Sequence, residues 1–170
     1  MATTKEVLSL AVELADVMLR NGGEIYRIED TVIHILKAYK VDSFDVYVLS
    51  NGIFASANED KDDACSMIRH VPLGSVNLSK IAYLNQLTRD LCTHKCTVAE
   101  GWERVKEAKN LPSYSRKIQN FFCGLGSACY TFIFGGSMMD FGFSFVIGLF
   151  EQMVLNYLAK HKFSRFLTNV

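Results

Sequence analysis

The sequence has no excess of charge of either sign: its 18 lysines and arginines balance 18 aspartates and glutamates, so no global field favours nucleic acid or acidic partners. It lacks a phosphate-binding glycine loop, a nucleophile with its base and acid, and a metal-ligand constellation. An enzyme would have to be argued from the scattered Ser56, His34 and His70. No cofactor and no metal are expected. Behind "MATTKEVLSL" there is no apolar leader with a small-residue cleavage site, which predicts that the N-terminus stays cytoplasmic. The cysteines, Cys65, Cys92, Cys96, Cys123 and Cys129, are odd in number, which argues against a disulfide framework and predicts reduced thiols. In "CTHKC", Cys92, His94 and Cys96 resemble half a metal site, but no second pair stands at ligand spacing, so they read as helix-end residues. Proline occurs only at Pro72 and Pro112, each predicted to close an element. No internal repeat or low-complexity segment is present.

The most informative absence is local. From Ile118 to Ala159 the only strongly ionisable residues are Asp140 and Glu151, whereas charge is frequent before Ile118.

In that first part, Glu6, Ser9, Glu13, Asp16 and Arg20 recur at three- and four-residue steps. Val7, Leu10, Ala11, Leu14 and Met18 lie opposite them, which predicts an amphipathic helix. Asn21, Gly22 and Gly23 supply a helix-ending corner, and Ile25, Ile28, Val32, Ile35, Leu36 and Tyr39 form the stripe of a second helix. Glu24 falls at its start, and Arg27 stands three residues from both Glu24 and Asp30. "FDVYVLSNGIFASA" alternates as two antiparallel strands around an Asn51-Gly52 turn, and "CSMIRHVPL" provides a third strand ending near Pro72. Leu78, Ile81, Leu84, Leu87 and Leu91 mark a third helix. Thr97 with Glu100 forms a capping box for a fourth, which carries Trp102 and Val105.

Ile118 to Met139 is a run of 22 residues without formal charge, roughly 33 Å as helix against a hydrocarbon layer of ~30 Å. A second apolar run, Phe141 to Ala159, follows, so the pattern predicts a transmembrane hairpin turning at Gly135 and Gly136. Arg116 and Lys117 precede it, Lys160, Lys162 and Arg165 follow, and the turn has no lysine or arginine. Both ends are therefore expected in the cytoplasm. Glu151, midway along the second span, is either a functional carboxylate or a packing acid. Asp140 is a helix cap or a second such carboxylate. "GLGSACY" offers Gly124, Gly126, Ser127 and Ala128 for close helix contact.

"GGEIYRIEDT" resembles the G-A-E-T-Y-R-x-E-D-T signature of the threonine/serine exporter family, whose relatives include a subunit of a two-component dicarboxylate exporter. "MLRNG" just upstream, "SNGIFAS" and "FIFGGSMMD" agree with the family in the same order. The matches are Gly22, Glu24, Tyr26, Arg27, Glu29, Asp30 and Thr31, then Gly52, Ile53 and Ser56, then Gly135, Gly136 and Asp140. Gly23 and Ile25 replace the usual alanine and threonine. The resemblance implies a secondary-active exporter of small polar metabolites, threonine/serine or a dicarboxylate, in the cell (inner) membrane. Glu24, Arg27, Glu29, Asp30, Asp140 and Glu151 are then the candidate substrate-binding or gating residues, and Gly22, Gly23, Gly52, Gly135 and Gly136 the structural motif. The family carries more spans than the two expected here. The chain therefore reads as a fragment that requires further transmembrane helices, from a missing C-terminal part, a second subunit or a homo-oligomer.

The expected organisation is a cytoplasmic α+β domain over 1–112 (two helices, a small antiparallel sheet, two helices) and an α-helical transmembrane hairpin over 113–160. Residues 161–170 are a tail or the start of a missing third span. The expected partners are the lipid bilayer, further helices and a small polar solute, with no nucleic acid. Two other readings are a membrane-anchored ligand-binding or regulatory module without transport, and a soluble enzyme with a buried apolar hairpin.

Overall fold

The computed structural model describes residues 3–58, 64–72, 74–112 and 114–160, with side chains to 158. The expected tail at 161–170, with Lys162 and Arg165, lies outside them. The elements are α1 (Thr4–Arg20), α2 (Ile25–Ala38), β1 (Ser43–Leu49), β2 (Gly52–Asn58), β3 (Ala64–His70), α3 (Leu78–Cys92), α4 (Val98–Asn110), α5 (Arg116–Ile133) and α6 (Met138–Lys160). The chain divides into two compact units, Met1–Leu111 and Pro112–Val170.

In the first unit α1 is the central element, touching α2, α3, α4, β2 and β3. Its start is fixed by Thr3 and Glu6, each side chain accepting the other's backbone N–H. The two-faced pattern read from sequence understates its burial. Leu8, Val12, Ala15, Val17 and Leu19 are buried as well as the expected stripe. Each fully buried leucine contributes about 1.5–3 kcal/mol, so this helix outweighs the surface ion pairs in holding the unit together.

The polar stripe of α1 is also turned to protein. Ser9 donates to the sulfur of Met67 at 3.7 Å. Glu13 accepts from Arg69 of β3 at 3.0 Å and pairs with Lys109 of α4. Asp16, 5 % exposed, binds Arg20 through two bonds of 2.7 and 3.0 Å. This bidentate pair raises the affinity of the Arg20 guanidinium for its proton.

The sheet is a meander in the order β1-β2-β3, antiparallel throughout. Val48, Ile53, Ala55 and Ala57 are buried in the core, with Phe44, Val46, Cys65 and Met67 partly buried against it. The hairpin loop is Ser50-Asn51, not Asn51-Gly52: Gly52 is the first residue of β2 and pairs with Leu49. None of these residues has positive φ, so the hairpin does not use the left-handed turn that Asn-Gly favours. Gly52 lies in the ladder beneath the Arg69 carbonyl instead. α4 starts at the expected Thr97–Glu100 capping box. It joins α3 through Arg104, which binds Asp90 at 2.7 Å and lies over the Tyr83 ring at 5.5 Å.

The second unit is a helical hairpin. The run Ile118 to Met139 is not one helix, because α5 ends at Ile133 and a turn follows. Its uncharged helical part, 118–133, is about 24 Å long, short of the ~30 Å layer. Among the described residues one stretch is long and apolar enough to cross a membrane, Met138–Leu158 of α6, and only 6 % of its most apolar window is buried.

The helices are fastened side by side at three levels. Asn156 donates to Asn120 at 2.7 Å, Gly148 lies against Gly124 and Ser127, and Thr131 donates to Ser144 at 2.7 Å. Of the small residues read as contacts, Gly124, Ser127 and Ala128 are at the seam. Gly126 has nothing within 4 Å of where a Cβ would stand, so it faces away.

Candidate functional site

The same backbone device closes both helix corners that the sequence marks with paired glycines. At the first, Gly22 (φ +81°) donates to the Leu19 carbonyl at 3.1 Å and Gly23 to that of Met18 at 2.9 Å. At the second, Gly135 (φ +87°) donates to Phe132 at 3.1 Å and Gly136 to Thr131 at 3.0 Å. Both are the crossed pair of bonds that ends a helix on a left-handed glycine. In each, the residue after the second glycine caps the next helix.

The two caps differ. Ser137 accepts from the Asp140 backbone at 3.3 Å while Asp140 accepts from the Ser137 backbone at 2.8 Å and hydroxyl at 2.7 Å, a complete reciprocal cap. Glu24 occupies the equivalent position at α2 but makes no side-chain cap. Its carboxylate instead binds Arg27 at 3.1 Å, with both side chains more than half exposed. A hydrogen bond with Tyr26, and then the Glu24 charge, raise the proton affinity of the Arg27 guanidinium. Tyr26 itself is 67 % exposed. Glutamate is a poor cap compared with serine or aspartate, so α2 starts without a side-chain cap and its first turn carries an exposed ion pair instead.

The expected four-residue charge cluster does not converge. Glu29 turns away and accepts the Val48 N–H at 3.2 Å, tying α2 to β1. Asp30 is exposed and its carboxylate joins no ion pair among the described residues; its carbonyl meets the His34 ring at 2.7 Å. Thr31 is buried and donates to the Arg27 carbonyl at 2.8 Å. The solvent-facing group is therefore Glu24, Tyr26, Arg27 and Asp30.

Two residues that hold this corner carried little signal in the sequence. Asn77, buried, donates its backbone N–H to the Asn21 carbonyl at 3.1 Å, and its side chain caps α3 at Lys80. Gly74 packs so closely that a Cβ would stand 2.1 Å from the Arg20 carbonyl oxygen. The Asn77 cap is visible as an asparagine preceding the Leu78 stripe; the Gly74 approach has no local pattern.

In the hairpin unit, Asp140 borders an open cleft of about 550 Å³ lined by Tyr130, Thr131, Phe134, Phe143 and Ser144. Glu151 is exposed in the middle of α6, eleven residues further along nearly the same face, and makes no bond among the described residues. Ser56 lies on the outer face of the sheet, opposite Asp45 and Ser66. No hydrogen bond joins it to His34 or His70. All five cysteines are free. Cys92 ends α3 and the buried Cys96 precedes the α4 cap. Among the described residues no group of three or more His, Cys, Asp or Glu could hold a metal ion.

Residues 9–170 match a family described as "Putative threonine/serine exporter". No curated protein and no solved structure matches the chain.

Proposed function

Because the chain belongs to the threonine/serine exporter family, we propose that it forms part of a secondary-active membrane exporter of small polar metabolites, threonine/serine or a dicarboxylate. The observation that carries this reading is α6: an apolar stretch of membrane-crossing length, almost wholly uncovered within its own unit, with a carboxylate at its centre. Such a carboxylate is costly in lipid unless protein or water faces it. Further membrane helices therefore pack against α6, and Glu151 lines the path between them. Asp140 stands at the cleft by the turn. The first unit is cytoplasmic, and its exposed Glu24–Arg27 pair, set beside Asp30, presents both charge signs to a zwitterionic or anionic solute, or acts as a gate.

The test is export from cells loaded with threonine, serine or a dicarboxylate, using the chain together with the membrane partners it purifies with. Glu24→Gln, Arg27→Gln and Glu151→Gln should each lower export per molecule at unchanged abundance. If the two corner variants leave per-molecule export intact, the corner is structural. If no flux depends on the protein, the hairpin serves only as an anchor for a ligand-binding or regulatory module.

A further inference from the structure

The two edges of the three-stranded sheet differ in one bonded group. On β1, the outward Val48 N–H is taken by Glu29 at 3.2 Å. Because that group points away from β2, and residues along an antiparallel strand alternate in the neighbour they bond, Ile53 directs its backbone to Arg69, its partner on β3. Cys65, Met67 and Arg69 therefore bond to β2. Ser66, Ile68 and His70 direct their N–H and C=O groups to the other side. None of these outward groups makes a hydrogen bond among the described residues, and the next N–H, of Val71, returns to Asn51 at 2.8 Å.

We propose that this uncovered edge of β3 docks a second copy of the chain, the two β3 strands pairing antiparallel about Ile68. Three features select that partner and register. Edge strands are commonly protected by lysine, proline or a covering element; β3 has neither residue and none of its outward groups is bonded among the described residues, whereas on β1 Glu29 takes one outward donor, the Val48 N–H. Tyr47, Phe54 and Ile68 form one cross-strand row on the outer face, 61 %, 40 % and 74 % exposed, which ends at this edge. Pairing Ile68 with the Ile68 of a second copy continues the row across six strands and sets Ser66 beside the copy's His70. Charge is compatible with self-pairing: the one formal charge on β3, Arg69, is turned inward to Glu13 at 3.0 Å, so no like charges meet across the symmetry axis. Three facing residue pairs, each exchanging two bonds, give about six main-chain hydrogen bonds. The proposal stands independently of the transported solute.

Disulfide trapping in membranes containing the full chain tests it, with the wild-type chain and its native thiols as background. Ile68→Cys should give a cross-linked dimer as the dominant species under mild oxidation. Ser66→Cys should not do so alone, but should when mixed with His70→Cys. Ile68→Pro removes one outward donor without touching the β2 ladder. It should abolish the dimer measured by light scattering in detergent while leaving the folded monomer intact by circular dichroism. The proposal is overturned if Ile68→Cys stays monomeric, if Ser66→Cys alone cross-links as well, or if Ile68→Pro remains dimeric. A cross-link from position 68 to a different protein likewise overturns it, assigning the edge to that protein.

Discussion

Glu29, one of the acidic residues of the GGEIYRIEDT motif, lies on α2 with its carboxylate on the backbone N–H of Val48, 3.2 Å away at the margin of the sheet. Replacing it by alanine leaves a partly buried donor to water alone, and should cost about 1 kcal/mol, with a smaller loss for Glu29→Gln, which keeps an acceptor. Urea midpoints of the two variants check this. Because Glu29→Ala also frees a further outward donor on β1, it should raise self-association through that edge.

Glycine replacements should rank by what surrounds them. Gly74→Ala sets a Cβ 2.1 Å from a backbone oxygen and is expected to be the most damaging. Gly22→Ala meets Val76 at 2.7 Å and holds φ at +81°, costing about 1–2 kcal/mol for the conformation plus the displacement of that valine. Thermal unfolding of both variants gives the order.

The hairpin seam makes a paired prediction. A Cβ at Gly124 stands 2.8 Å from the Phe145 carbonyl and one at Gly148 2.5 Å from the Ser127 hydroxyl, while one at Gly126 touches nothing within 4 Å. Gly124→Ala and Gly148→Ala should separate α5 from α6, seen as lower protection of the hairpin from proteolysis in detergent. Gly126→Ala should be silent. Asn156→Leu, which removes the bond to Asn120, should cost about 1 kcal/mol in the same medium.

Acid stability should depend on Asp90. Its hydrogen bonds with Arg104 and then Gln86 hold its carboxyl below the usual carboxylate range. The folded state therefore binds that proton more weakly than the unfolded chain does. The stabilisation is present above the ordinary carboxylate pKa and is lost as pH falls through the depressed folded value. Comparing denaturation midpoints of wild type and Asp90→Asn from neutral pH to about pH 3 should show the difference shrink on acidification.

Most of the first unit was legible because its elements carry local signals. The capping box at Thr97, the stripe at Leu78 and the alternation around Ile53 each depend on neighbours in sequence. The burial of α1 on nearly all sides was not legible, since Leu8, Val12 and Leu19 differ from surface residues only through the elements that cover them. The Asn51-Gly52 turn was misplaced because Gly52 answers to the ladder and the Arg69 carbonyl rather than to a left-handed φ. The first apolar run was read as longer than its helix because composition continues through Phe134 to Met139 while the backbone turns at Gly135. At the candidate site, spacing foretold the Glu24–Arg27 pair. It could not foretell that Glu29 would be drawn to Val48, a contact between residues 19 apart in the chain.

The three-level seam between α5 and α6 has a mechanical meaning. With backbones touching at Gly124 and Gly148, and a side-chain bond toward each end, the two helices have neither the gap nor the slack to slide past one another. Fastened in this way, the pair is expected to move as one body rather than by one helix sliding along the other. Under the proposed transport function, a working stroke would therefore run along the outer surface of the pair, where Glu151 is exposed.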